Sequence, residues 1–76
     1  MTDEERLRRL EEYAEARYDE LYEVSNQSGV SGLYSEIKES LYEAIGLAQR
    51  LGKPDEAARL EKRLEHIKAV IRSQFT

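Results

Sequence analysis

Few side chains in this sequence could do chemistry, and each sits in a setting that argues for structure instead. His66 is the only histidine. On a helical wheel it falls about 135° from the apolar stripe of its segment, among Lys62, Arg63 and Glu65, with Lys62 and Val70 at its i±4 positions. A metal site there would need ligands from elsewhere. The stretch Gly29-Val-Ser-Gly-Leu33 comes within one residue of a Gly-x-Ser-x-Gly nucleophile elbow. It ends in leucine, and no strand precedes it. Its serines and glycines could at most hold an anion at a helix N-terminus through backbone N–H groups. Carboxylate pairs recur at Glu4-Glu5, Glu11-Glu12 and Asp19-Glu20, and none is expected to be buried with a shifted pKa. There is no cysteine, hence no thiolate for catalysis or metal binding. No phosphate-binding loop, dinucleotide fingerprint, calcium loop or zinc spacing is present. The expectation is a chain with no catalytic residue, no cofactor and no metal site.

The five tyrosines carry more information. Tyr13 and Tyr18 lie roughly 70° to either side of the first apolar stripe, as core-edge residues do, with hydroxyls toward water. Tyr22 falls about 110° from that stripe and Tyr42 about 145° from the second. Outward tyrosines suit protein contact, because the ring gives a large area at small entropic cost. With Ile45, Leu47 and Val70 on stripe flanks, Tyr22 and Tyr42 are the expected protein-contact residues.

The elements that position these side chains are helices. Residues 33–51 form the central one. Leu33, Ile37, Leu41, Ala44, Ala48 and Leu51 make a stripe at 3–4 spacing, flanked by Tyr34 and Ile45 on one side and Leu47 on the other. The resulting arc of roughly 160° exceeds the ~100° that one neighbour covers, so this helix must be clasped from two sides. The first partner starts at Thr2, which with Glu5 fits a capping box. It continues through Leu7, Leu10, Ala14, Arg17, Leu21 and Val24, a bundle seam with one polar position. The second partner follows Gly52, Lys53 and Pro54. Glycine ends one helix, proline opens the next, and Asp55 and Glu56 suit the positive end of its dipole. Its stripe is Ala57, Leu60, Leu64, Ile67, Ile71 and Phe75. Between the first two helices, residues 25–32 are rich in serine and glycine and read as a loop, with Ser28 or Ser31 as the next cap. The predicted fold is all-α, an antiparallel up-down-up three-helix bundle in one domain, with helices over about 3–24, 31–51 and 54–73.

Charge narrows the function classes. The chain has sixteen acidic and twelve basic residues, a net of −4. Residues 1–30 hold nine acids and four bases, whereas residues 53–76 hold four acids and six bases. Direct nucleic-acid binding requires a basic face and is not expected. No apolar run nears the ~20 residues of a transmembrane helix, and Met-Thr-Asp-Glu-Glu-Arg is no signal peptide. The expected location is therefore cytoplasmic, with no membrane partner.

Gly52 and Ala57, five residues apart before a second helix, resemble the turn of a tetratricopeptide hairpin. Glu61, Leu41 and Ile45 stand where that repeat has its aromatics and glycine, so the likeness is a shared hairpin turn and implies no family. The expected function is a non-enzymatic helical module for protein–protein interaction or self-association. Two alternatives stay open. The well-capped Glu/Arg/Leu-rich helices around a rougher 25–49 segment suit a designed scaffold or binder presenting that segment. The acidic first third suits an inhibitor that imitates nucleic acid and blocks a basic protein.

Overall fold

The computed structural model describes residues 2–24 and 26–75 and contains three α-helices: α1 Asp3–Glu20, α2 Gln27–Arg50 and α3 Pro54–Gln74. No strand occurs among the described residues, and none of their helices is long and apolar enough to cross a membrane. The cross-links show the order of directions. Arg6 meets Glu43, Leu10 meets Ser40 and Tyr13 meets Glu36, so α2 descends as α1 rises. Arg59 meets Glu11 and Arg63 meets Glu15, so α3 rises beside α1. The bundle is up-down-up, and α2 contacts both neighbours, as its wide apolar arc requires.

The caps explain where each helix begins and ends. Thr2 Oγ1 accepts from the Glu5 N–H at 3.1 Å, satisfying one of the orphan donors of α1. The helix stops four residues short of the expected Val24, because Leu21, Tyr22 and Glu23 bond back three residues instead of four. This tighter turn still delivers Leu21 to the core and half-buries Val24 against it. The expected loop over 25–32 is overturned. Ser25 lies outside the described residues, but Gln27–Gly32 is helix. The cap is Asn26, whose Oδ1 accepts from the Gly29 N–H at 2.7 Å, not Ser28 or Ser31. Val30 is thereby a buried residue of α2's own stripe. At the other end Gly52 adopts φ +73°, the left-handed conformation. The Gly52 and Lys53 N–H groups close on the Gln49 and Ala48 carbonyls at 3.1 and 2.9 Å, a Schellman motif.

The core runs through all three helices: Ala14, Tyr18 and Leu21 from α1 and its final turn, Ile37, Leu41, Ala44 and Ala48 from α2, and Leu60, Leu64, Ile67 and Ile71 from α3. Among the described residues Ser40 is the one polar residue buried with it, and it donates to the Leu10 carbonyl at 2.6 Å. That bond ties α1 to α2 without leaving the hydroxyl unsatisfied. The α1–α3 seam is ionic. Arg59 grips both oxygens of Glu11 at 2.7 and 2.8 Å, and Arg63 grips Glu15 at 2.6 and 2.7 Å. Such paired bonds orient as well as attract.

Candidate functional site

The five side chains expected to form a contact surface do not share one. Ile45 and Leu47 are only 8% and 4% exposed, which corrects their reading as contact residues. They flank the α2 stripe on opposite sides, and a helix clasped by two neighbours has both flanks covered. Val70 is half-buried against the core. Tyr22 is 59% exposed, yet its ring stands edge-on to Tyr18 and Phe75 at 5.8 and 5.5 Å. It closes the end of the bundle where α1 and α3 finish. Tyr18 itself is buried, and its hydroxyl meets the Tyr22 hydroxyl at 3.3 Å, so it is not a core-edge residue with its hydroxyl in water. Burial, reinforced by that hydrogen bond, pushes the Tyr18 phenol up to about 12.

Tyr42 remains, 53% exposed, and it is part of an organised groove. Tyr34, Lys38 and Tyr42 follow one another at four-residue spacing on α2, and Lys68 and Arg72 do so on α3. Four-residue steps keep side chains on one helix face, so two short rows meet across the α2–α3 junction. With Ser35 and Glu39 they line a groove of about 470 Å³. Lys68 Nζ donates to the Tyr42 hydroxyl at 2.9 Å, and this bond holds the ammonium pKa above its usual value. Lys38 Nζ lies 4.4 Å from the Tyr34 ring centre, within cation–π range, whereas Lys68 Nζ, 5.3 Å from the Tyr42 ring centre, sits beyond its hydroxyl edge. Tyr34 and Tyr42 thus hold the two ammonium groups, and Lys68 Nζ also pairs with Glu65 Oε1 at 3.6 Å. Three cations and two phenols converge in one depression of a chain with net charge −4.

The opposite flank of α2 carries the other sign. Between α1 and α2 a second depression is lined by Leu10, Tyr13, Glu36, Glu39, Ser40 and Glu43. The Tyr13 hydroxyl donates to Glu36 at 3.3 Å, and Arg6 pairs with Glu43. Elsewhere four of the eight acids of α1 are engaged in ion pairs within the molecule. Glu11 and Glu15 pair with α3, while Glu12 and Glu20 pair with Arg8 and Arg17. The Arg59 guanidinium holds the Glu11 carboxyl below the usual carboxylate range.

The other chemical candidates have structural places. His66 is exposed on α3. Gly29 to Gly32 form early turns of α2, and the Gly29 N–H that could meet an anion is taken by Asn26. Among the described residues no cluster of three acidic or histidine side chains has metal-binding geometry. Arg17, the polar interruption of the α1 stripe, lies half-buried with its guanidinium 5.2 Å from the Tyr13 ring centre and Nη2 on Glu20 at 3.0 Å. The groove residues Lys38, Lys68 and Arg72 escaped the sequence reading because each alone is an ordinary surface cation. Their signal was the matched four-residue spacing on two helices. Comparison with known proteins finds no matching family model, no similar curated protein and no similar solved structure, so the site stands on its own geometry.

Proposed function

We propose that this protein is a non-enzymatic helical interaction module that receives an acidic protein segment in the α2–α3 groove. The observation that carries this reading is that Lys38, Lys68 and Arg72 line one groove together with Tyr34 and Tyr42. Lys38 over the Tyr34 ring and Lys68 on the Tyr42 hydroxyl are partly preorganised, and an incoming carboxylate then loses less entropy on pairing. The groove is open and shallow, suiting an extended or helical segment better than an enclosed small substrate. Imitation of nucleic acid is a weaker reading. It needs a field of free carboxylates, and four of the nine acids in residues 1–30, Glu11, Glu12, Glu15 and Glu20, are engaged in internal pairs.

The test is calorimetric titration with a ten-residue glutamate peptide and its glutamine counterpart. The glutamate peptide binds, and it weakens steeply as salt rises from 20 to 200 mM. The Lys38→Glu/Lys68→Glu variant loses at least tenfold in affinity. Equal binding of both peptides, or no binding of either at low salt, overturns the reading.

A further inference from the structure

The two depressions beside α2 have opposite signs and occupy the same stretch of the helix. The acidic one centres on Glu36, with Glu39 on the ridge, and the basic one on Lys38 and Lys68. The exposed ridge between them carries Gly32, Ser35, Glu39 and Arg50. At 100° per residue these four span only about 60° of the wheel, so they form one line along the helix.

We infer that the occupant of the basic groove is a second copy of this chain, bound as a parallel two-fold dimer about the exposed ridge of α2. This rests on the acidic-segment reading and names the segment. The argument is one of symmetry. A two-fold axis lying along the ridge carries the left flank of one copy over the right flank of the other. Acidic then faces basic on both sides, and each residue keeps its height, so Glu36 of one copy meets Lys38 of the next. An axis across the ridge instead turns α2 antiparallel. It sets acidic on acidic and basic on basic, which electrostatics disfavours. An isologous pairing of this kind closes on itself. The bundle is flattened, 39 × 23 × 14 Å, and a broad side of that size matches the ~800 Å² per partner of a standard interface. Gly32 and Ser35 let the two α2 helices approach closely at that end of the ridge, whereas Glu39 and Arg50 face their own copies across the axis and turn aside toward the flanks.

Two measurements on the full chain test this. Sedimentation equilibrium at low salt shows a dimer. Glu36→Lys and Lys38→Glu each weaken it at least tenfold, because like charges then meet. Mixing these two variants restores association, since both contacts between positions 36 and 38 in the mixed pair again join opposite charges. The chain has no cysteine, so Gly32→Cys and Arg50→Cys each give a clean single thiol. These sites lie about 27 Å apart along α2 at 1.5 Å per residue. In the parallel dimer a short bismaleimide joins both variants to their own copies. A dimer that cross-links at neither site overturns the arrangement. A monomer at millimolar concentration that still binds the glutamate peptide overturns the dimer and leaves the groove reading standing. A monomer that binds no peptide overturns both.

Discussion

Ser40 shows what one hydroxyl does at a helix crossing. Its Oγ is within 2.6 Å of the Leu10 carbonyl, an oxygen that also lies within the hydrogen-bonded body of α1. Replacing it by alanine leaves no unsatisfied partner, so Ser40→Ala costs about 1 kcal/mol, the net worth of one hydrogen bond. Urea denaturation reads this as a lower midpoint at unchanged slope. Gly46 gives the opposite sign. It has no positive φ, and a Cβ built there meets only Arg50 Nη1, at 3.8 Å. Gly46→Ala therefore adds about 0.5–1 kcal/mol, because the helix no longer has to order a glycine. The same midpoint measurement, now shifted upward, checks it. Gly46 has no conformational duty in the fold.

Among the helices, the ends differ in how clearly the sequence announces them. The Gly52–Pro54 junction was legible because glycine and proline act through backbone restrictions that context barely changes. Gly52 at φ +73° is a position where alanine strains the chain, and Gly52→Ala costs about 1 kcal/mol despite open space around it. The start of α2 was misread. Serine and glycine at 25–32 suggest a loop by composition, but one asparagine side chain capping Gly29 and one valine reaching the core outweigh weak propensities. Asn26→Ala is accordingly expected to cost about 1 kcal/mol. Amide exchange at residues 27–30 accelerates, while residues 41–48 keep their protection. Ile45 and Leu47 failed as contact residues for a related reason. The sequence showed an arc wide enough for two partners, and such partners cover the flanks as well as the centre. The groove could not be read from either helix alone, since it exists only where the Tyr34/Lys38/Tyr42 row meets the Lys68/Arg72 row.

Across the whole molecule, the α1–α3 seam, the aromatic end of the bundle and the α2–α3 groove together make stability depend on pH at both extremes. On the acid side, Arg59 holds the folded Glu11 carboxyl below its unfolded value. A depressed carboxylate contributes stability that is full above the unfolded pKa and is lost as pH falls through the folded one. Unfolding midpoints therefore fall below about pH 4.5, the ordinary carboxyl value, and Arg59→Gln flattens that limb by removing the partner. On the alkaline side the phenol of Tyr18 titrates near 10 when unfolded and near 12 when folded. The folded state then holds a proton that the unfolded state has released, so stability declines as pH climbs from 10 to 12. Lys68 adds to the same decline. Its raised pKa, set by the Tyr42 hydroxyl, stabilises below the unfolded value and ceases to do so as pH rises through the folded one. The two contributions separate by mutation. Tyr18→Phe removes the phenol at the Tyr22 contact and leaves the groove intact, whereas Tyr42→Phe removes the acceptor of Lys68 and leaves the aromatic end of the bundle intact. Urea midpoints from pH 3 to 12 should show each variant losing part of the alkaline limb and none of the acid limb. An alkaline limb unchanged in both variants would mean that neither phenol governs it.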